Sequence, residues 1–301
     1  MEELARLLET RCAGRVLRNE PMASHTTFRV GGPADLFFMP QTEEEVAFAL
    51  AEAARGCVPA FVMGNGSNLI VRDGGMRGLV VLLGEHFSAI CAEETRVTAQ
   101  AGATLARIAA FALERALTGF EFASGIPGTI GGGAAMNAGA YGGQISDVFV
   151  SAQILKDGKI VTYDSEKMDM GYRSTRALRE GGIILAVTLA LQPGNAAEIR
   201  ATMNDLNGRR RQKQPLEYPS AGSTFKRPEG HYAGALIEQA NLKGTRVGGA
   251  MVSEKHAGFL INAGGATAKD ILGLIELVRA RVYETSGVML EPEVRIVGDD
   301  A

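Results

Sequence analysis

The segment Ser124–Gly143, SGIPGTIGGGAAMNAGAYGG, carries eight glycines in twenty residues. With so few side chains, its main chain can closely approach a flat ring or a pyrophosphate, and glycine permits backbone conformations that other residues avoid. The chain has 38 glycines but only 10 prolines, and the glycines are clustered, which argues against disorder or a collagen-like repeat. A loop pressed against another domain is the competing interpretation.

A second glycine loop, Met63–Asn68 (MGNGSN), lies about sixty residues earlier. It begins like a dinucleotide-binding fingerprint, but such a loop leads from a strand into a helix. Here the strand-like residues Leu69–Val71 follow, and no third glycine comes at the required spacing. The main-chain N–H groups of such a loop can form a nest for phosphate oxygens, although a tight hairpin explains this loop equally well. The two loops together favour a phosphate-bearing cofactor.

The composition is that of a globular protein, and 301 residues suggest two or three domains. The net charge of −3 predicts no partner among nucleic acids or anionic membranes, so any anion must be held locally. Three scattered cysteines, Cys12, Cys57 and Cys91, match no metal-ligand spacing, which predicts reduced thiols and no metal site. The acidic N-terminus and the short apolar stretch Ile183–Leu191 predict neither signal peptide nor membrane span, and hence a cytoplasmic protein.

Periodicity and capping signals predict a mixture of helices and strands. Thr42–Glu45 is a capping box that opens a helix to about Arg55, and Asp157-Gly158 is a hairpin signal between two strands. Gln214-Pro215 ends a polar helix and predicts a domain boundary near 205–220. The other predicted helices are 104–117, 195–211, 233–240 and 267–284, the last capped by Thr267–Asp270, and the predicted strands are 58–62, 69–71, 79–83, 148–155, 159–163, 183–191, 247–252, 258–261 and 288–297.

Three further motifs follow the glycine loops in order: Gly171–Ser174 (GYRS), Ala221–Lys226 (AGSTFK) and Leu290–Arg295 (LEPEVR). Each of the five is weak alone, but in register they closely resemble the UDP-N-acetylenolpyruvoylglucosamine reductase family over roughly residues 26–298. The length and the Tyr218–Ser223 context resemble the shorter form of that family, which lacks an extra substrate-covering loop.

The resemblance implies an α+β protein with an FAD-binding fold of the vanillyl-alcohol-oxidase (PCMH) type in two subdomains, plus a small α+β substrate-binding domain. The corresponding division is 1–83 with 294–301, then 84–205, then 206–293. FAD is implied to be non-covalent, because the first glycine loop contains neither His nor Cys. The implied reaction uses NADPH to reduce UDP-N-acetylglucosamine enolpyruvate to UDP-N-acetylmuramate in peptidoglycan precursor synthesis. No residue by itself separates NADPH from NADH or indicates a protein partner.

Three catalytic residues are implied by the same resemblance. Ser223 corresponds to the proton donor for an enolate, Arg173 to the cation that pairs with the substrate carboxylate, and Glu293 to a second acid facing the reaction centre. Without the resemblance, a serine in this context is more often a helix or turn cap, and the arginine and glutamate are more often solvated.

Binding residues are implied less directly. Lys226, Arg227 and Tyr141 are predicted substrate ligands, whereas Arg209–Arg211 is interpreted as a solvated helix end. His256 and Asn262 receive no role. The implied cofactor-binding residues are Gly64, Asn65, Gly66, Ser67, Asn68, Gly125, Ile126, Pro127, Gly128, Thr129, Gly131, Gly132 and Asn137.

Two alternatives stay open. An oxidase of the same flavin fold would pass electrons to oxygen and need no proton donor for an enolate, so the set Ser223, Arg173 and Glu293 argues against it. A catalytically inactive nucleotide-sugar-binding protein would lack flavin, or hold flavin without turnover.

Overall fold

The computed structural model describes all 301 residues and contains two compact units. Unit 1 comprises 1–17, 36–65 and 78–210, and unit 2 comprises 18–35, 66–77 and 211–301. The break after Arg210 falls within the boundary region predicted from Gln214-Pro215. The finer division into three domains stays a prediction. No helix combines the length and apolar character needed to cross a membrane.

The secondary structure is mixed throughout. The helices are α1 (Glu2–Arg11), α2 (Glu43–Arg55), α3 (Leu105–Glu114), α4 (Ile130–Ala135), α5 (Ser165–Met168), α6 (Arg176–Arg179), α7 (Ala196–Lys213), α8 (Ala233–Gln239) and α9 (Ala268–Ser286). The strands are β1 (Arg15–Pro21), β2 (Pro33–Met39), β3 (Ala60–Met63), β4 (Leu69–Val71), β5 (Met76–Leu82), β6 (Ile90–Glu93), β7 (Arg96–Gln100), β8 (Leu117–Thr118), β9 (Gly139–Ala140), β10 (Gly143–Gln144), β11 (Phe149–Lys156), β12 (Lys159–Asp164), β13 (Ile183–Ala190), β14 (Gln192–Pro193), β15 (Arg246–Val247), β16 (Ala250–Val252), β17 (Leu260–Asn262) and β18 (Arg295–Val297).

Unit 1 contains a five-stranded antiparallel sheet in the order β12-β11-β13-β7-β6. The predicted hairpin at its edge is confirmed: Asp157 and Gly158 both have positive φ, 49° and 72°, as a two-residue turn of this kind requires. Buried side chains of this sheet pack with those of α3 and α4 in one apolar cluster, which includes Val187, Ile108 and Ile130. The glycine-rich segment therefore belongs to the core of unit 1 on one side.

A four-stranded sheet runs in the order β1-β2-β5-β3, and β3 pairs with β5 in parallel. Helices α1 and α2 contribute Leu8 and Val46 to an apolar cluster that also contains Leu79 and Val81 of β5. Strands β1, β2, β6 and β7 are absent from the sequence-based assignment. Their mixed composition gives little periodicity, so the sequence pattern does not identify them as strands.

Unit 2 is built around α9, which packs on the antiparallel sheet β15-β16-β17. The predicted capping box of Thr267 and Asp270 is confirmed, with Asp270 N donating to Thr267 Oγ1 at 3.1 Å. The Asp73 carboxylate also accepts from Ala268 N at 2.8 Å and Lys269 N at 2.9 Å. The first turn of α9 thus satisfies its free N–H groups partly through a residue far away in sequence.

The end of the chain differs from the prediction of one long strand over 288–297. Only β18 is a strand, and it pairs in parallel with β4 through Ile296 and Ile70. Pro292 lies just before it and has no N–H to donate to a ladder. Residues 291–293 instead run beside 224–226, with Lys226 N donating to Glu291 O and Glu293 N donating to Thr224 O, both at 2.8 Å.

The predicted capping box of α2 is only half present. Thr42 Oγ1 accepts from Glu45 N at 3.2 Å, but the Glu45 carboxylate has other partners. Its Oε1 accepts from Ala13 N at 2.5 Å and Gly14 N at 3.3 Å, and its Oε2 accepts from Gln41 N at 2.7 Å. This buried carboxylate therefore ties the segment after α1 to the start of α2.

We expect Glu45→Gln to lower the free energy of unfolding by about 1–3 kcal/mol, because a charged acceptor is lost and buried main-chain donors face an amide. Glu44→Gln, at the exposed neighbouring position, is the matched control and should cost less than about 1 kcal/mol. Urea unfolding followed by circular dichroism measures both. Equal effects for the two variants would contradict the assignment of Glu45 as the anchoring carboxylate.

Candidate active site

The first glycine loop, residues 63–68, joins β3 to β4 and so leads into a strand, as its sequence predicts. At Gly64, any Cβ would collide with the Oγ1 of Thr129 in the second glycine loop. Gly66 has φ +61°, and a Cβ there would collide with the His25 carbonyl within unit 2. Both glycines are therefore required by the packing of the protein itself.

The second loop is folded into α4 and the small hairpin β9–β10. Gly131 lies against Ala101, where an added Cβ would be 2.7 Å from the alanine Cβ, and Gly125 lies against Asn207 and Arg210 of α7. At these positions the loop therefore packs against residues of its own unit. Gly132 differs, because it is exposed and the nearest atom to an added Cβ is Thr129 Oγ1 at 3.8 Å. Its open face is where a ligand can approach the main chain.

Residues at the first loop fit a phosphate-bearing cofactor. In unit 2, Thr27 N donates to Gly66 O at 3.3 Å, and the Thr27 hydroxyl is buried without a hydrogen-bond partner. A buried hydroxyl of this kind needs a partner such as a ligand oxygen or a bound water. The loop itself contains neither His nor Cys for a covalent flavin, and the imidazole Nε2 of neighbouring His25 lies 2.8 Å from Glu20.

Arg173 lies at the tip of a closed four-residue turn in unit 1. Gly171 N donates to Ser174 O at 2.8 Å, and the pair forms an isolated β-bridge. Arg173 itself has φ +53°, which is uncommon for a residue with a side chain. Its guanidinium carbon lies 5.3 Å from the ring centre of Tyr172, and the side chain is half-buried. The alternative of a fully solvated arginine therefore does not describe this side chain, and its backbone is tightly constrained.

Ser223 and Glu293 lie on the two adjacent segments of unit 2, 223–226 and 291–293. Thr224 O accepts from Glu293 N, and Ser223 forms a bridge with Phe259 on its other side. Ser223 is exposed and precedes no helix, since α8 begins only at Ala233. The alternative role as a helix cap is therefore wrong for this serine.

The first glycine loop is joined to the Glu293 segment within unit 2. Asn68 Nδ2 donates to Glu293 O at 3.1 Å, and Asn68 O accepts from Arg295 N at 3.0 Å. Asn68, a predicted cofactor residue, thus sets the position of the backbone at a predicted catalytic residue. The structure brings Asn68, Ser223 and Glu293 into one part of unit 2.

The predicted substrate ligands have solvent-facing side chains. Lys226 Nζ lies 3.1 Å from the exposed Glu291 carboxylate, and Arg227 stacks on the exposed ring of Tyr232 at 4.1 Å. Tyr141, at φ +55° in the turn between β9 and β10, is 45% exposed. Their roles in substrate binding stay predictions.

The cationic end of α7 is not uniformly solvated, which corrects the sequence interpretation for Arg210. Arg209 and Arg211 are exposed, but Arg210 is half-buried beside Gly125, and burial lowers its pKa from the ordinary value while Tyr141 opposes that shift. An arginine stays charged under such a shift. The position of each arginine around the helix axis decides which guanidinium is buried. The sequence Arg209–Arg211 alone does not indicate which one this is.

The two residues without a predicted role have structural contacts in unit 2. Asn262 Nδ2 donates to Phe28 O at 3.2 Å, while its Oδ1 accepts from Gly264 N at 3.0 Å and Ala266 N at 3.2 Å. His256 Nδ1 accepts from Gly258 N at 3.1 Å, and burial lowers the pKa of this imidazole. No group of three acidic, histidine or cysteine side chains has metal-binding geometry.

Comparisons with known proteins bear on the same regions. A family model described as UDP-N-acetylenolpyruvoylglucosamine reductase, C-terminal domain, matches residues 214–297, and one described as FAD binding domain matches residues 34–164. The UDP-N-acetylenolpyruvoylglucosamine reductase of Alkaliphilus oremlandii is 50% identical over 286 residues, covering 95% of this chain and 94% of the relative.

Solved structures agree with these matches. The crystal structure of UDP-N-acetylenolpyruvylglucosamine reductase from Thermus caldophilus is 36% identical with a TM-score of 0.81, covering 94% of this chain and 99% of that one. An alkyldihydroxyacetonephosphate synthase has a TM-score of 0.50 at 17% identity, over 64% of this chain and 40% of its own, and is similar in fold alone. The predicted α+β fold with an FAD-binding domain is confirmed.

We expect Gly132→Leu to fold but to purify with little flavin, because the new side chain enters the open space beside the loop. Gly208→Leu is the matched control, since Gly208 is also in a helix and an added Cβ there has no neighbouring atom within 4 Å. The ratio of flavin to protein absorbance, together with the thermal midpoint of the stripped protein, checks this. Full flavin content in Gly132→Leu would exclude a close approach of cofactor to this face.

Proposed function

The chain belongs to the UDP-N-acetylenolpyruvoylglucosamine reductase family, and on that premise we propose that it reduces UDP-N-acetylglucosamine enolpyruvate to UDP-N-acetylmuramate with NADPH and FAD. This reaction is a step of peptidoglycan precursor synthesis. The observation that carries the proposal is the 50% identity over 95% of the chain to a protein of that name.

FAD is supported by the match of the FAD-binding family model and by the residues of both loops. The chemistry that FAD supplies when bound is hydride transfer, from NADPH and on to the enolpyruvyl double bond. Gly132, with its open face, is the residue of unit 1 that we assign to hold it, together with the predicted loop residues. The two loops act through main-chain groups, so the binding site needs no excess of cationic side chains.

Arg173 is proposed to bind the substrate carboxylate. When hydride is added to the terminal carbon of the double bond, negative charge develops on the central carbon. The adjoining carboxylate takes up this charge, and the two together form an enolate. A guanidinium offers a planar fork of donors that matches a carboxylate and remains charged at any ordinary pH. Stabilisation of charge that develops during the reaction is the strongest single contribution available to such a site.

Ser223 is proposed to protonate the central carbon, with Glu293 as a second acid. Support comes from its exposed position on the segment that pairs with the Glu293 segment, where no helix competes for its hydroxyl. Gly222, at φ +75°, provides the turn that precedes the serine. A serine hydroxyl is a very weak acid, so its neighbours must stabilise the oxyanion that it leaves.

The site of action is proposed to be the cytoplasm, where nucleotide-sugar precursors and NADPH are available. The proposed partners are these two small molecules. An oxidase of the same fold is the remaining competing function, and it predicts rapid reoxidation of the reduced flavin by air without the enolpyruvyl substrate. The family match to a reductase weighs against that alternative.

We expect Ser223→Ala to leave reduction of the flavin by NADPH nearly unchanged, because no enolate exists at that stage. Reoxidation by the enolpyruvyl substrate should slow by about a hundredfold to ten-thousandfold, the usual effect of losing a positioned acid. Stopped-flow absorbance of the flavin measures the two half-reactions separately. Ser223→Cys should recover part of the loss, because a thiol is the stronger acid.

Ser286→Ala, in the last turn of α9, controls for loss of a hydroxyl elsewhere in unit 2 and should change neither half-reaction. If Ser223→Ala slowed both half-reactions equally, the serine would be structural and the proton would come from Glu293 or water. If the wild-type reduced flavin ignored the enolpyruvyl substrate but reacted rapidly with oxygen, the reductase function itself would be wrong.

A further inference from the structure

The turn that carries Arg173 is fastened to unit 1 at its base by Asn137. This asparagine is only 4% exposed and has φ +42°, a conformation that asparagine tolerates better than most residues. Its Oδ1 accepts from Ser146 N at 3.0 Å, and its Nδ2 lies 3.3 Å from Gly171 O. The same amide nitrogen also faces Gln144 Oε1 at 3.3 Å and Ser146 Oγ at 3.4 Å. The side chain of this predicted cofactor residue is therefore directed at protein groups.

The other end of the turn is fastened by Thr175. Its side chain is fully buried, and its Oγ1 donates to Ala135 O at 2.9 Å while accepting from Leu178 N at 3.3 Å. Ala135 ends α4, and Asn137 follows it by two residues. The two bonds therefore join the start and the end of the 171–174 turn to one short stretch of the glycine-rich segment.

A constraint of this kind is needed because the backbone at Arg173 is strained. Its left-handed φ of +53° is unfavourable for a residue with a Cβ, so it persists only where the surroundings hold it. The internal bond from Ser174 N to Gly171 O, at 3.4 Å, is long. The hydrogen bonds of Asn137 and Thr175, which lie outside the turn, therefore stabilise its conformation further.

We infer that Asn137 and Thr175 are positioning residues that hold Arg173 in register with the loop containing Gly132. The inference rests on the proposed role of Arg173 in binding the substrate carboxylate. Both residues act through main-chain carbonyls, and neither needs to contact substrate. Because displacement of a catalytic group by about 1 Å can cost about a hundredfold in rate, loss of either bond should be seen in the step that uses Arg173.

The first test replaces Thr175 by Val, which keeps the shape and removes the hydroxyl. Reoxidation of the reduced flavin by the enolpyruvyl substrate should slow by about 10- to 100-fold, with flavin content and reduction by NADPH unchanged. Thr175→Ser should restore the rate, because the hydroxyl returns. Thr188→Val is the matched control: it removes the hydroxyl pair between Thr188 and Thr98 in the sheet of unit 1, at 3.0 Å, and should leave both half-reactions unchanged.

The second test measures the stability of the 171–174 turn by hydrogen exchange, without relying on enzyme activity. Asn137→Asp keeps the acceptor for Ser146 N but places a carboxylate oxygen opposite the Gly171 carbonyl, so the turn should loosen. Hydrogen exchange at the Gly171 and Ser174 amides should accelerate in Asn137→Asp and Thr175→Val but not in Thr188→Val. Unchanged exchange in both variants would overturn the inference.

The third test combines Thr175→Val with Arg173→Ala. If the threonine acts through the arginine, the double variant should reoxidise at the rate of Arg173→Ala alone. A further multiplicative loss, or slowed flavin reduction in Thr175→Val, would overturn the inference while leaving the reductase function intact. If Arg173→Ala left reoxidation unchanged, the proposed role of Arg173 would fail, and the positioning role would fail with it.

Discussion

The close contact between Gly64 and Thr129 is the constraint on which the rest of unit 1 depends. It joins two loops about sixty residues apart in sequence, and a Cβ at Gly64 would collide with the Thr129 hydroxyl, so one of the two would have to shift. The second loop is also held against the sheet, where Gly131 N donates to Ala101 O at 2.9 Å. Glycine thus has two uses here: at Gly64 and Gly131 it permits the protein to pack against itself, and at Gly132 it leaves the main chain accessible.

Neutral side chains then fix the backbone segments that carry the charged residues. Asn137 donates to Gly171 O at the start of the Arg173 turn, and Thr175, which follows the turn, donates to Ala135 O at the end of α4. In unit 2, Asn68 donates to Glu293 O. An amide or hydroxyl fully paired in the interior has a defined geometry and carries no charge to desolvate. Uncharged side chains therefore position the backbone at Arg173 and Glu293. This suits a site whose chemistry requires charged groups in fixed positions.

The net charge of −3 requires that an anionic substrate and cofactor be met by local features. In the proposed function, main-chain N–H groups at the loops would supply part of this, and the half-buried Arg210 beside Gly125 places a cation at the edge of the second loop. Burial of this guanidinium is tolerable because arginine is more weakly hydrated than lysine and keeps its charge. Strong local attraction is thus compatible with an acidic protein.

The sequence by itself determined the features that depend on neighbouring residues. These include the Asp157-Gly158 hairpin, the Thr267 cap, the strand after the first glycine loop, and the motifs that identify the family, because turn geometry and capping act over a few residues. Only the tertiary structure decided which distant groups meet. The Glu45 carboxylate accepts from Ala13 N instead of Thr42 N, residues 291–293 pair with 224–226, and the Asn137 side chain bonds to Gly171 O. Long-range packing selects among hydrogen-bond partners that local sequence leaves equally available.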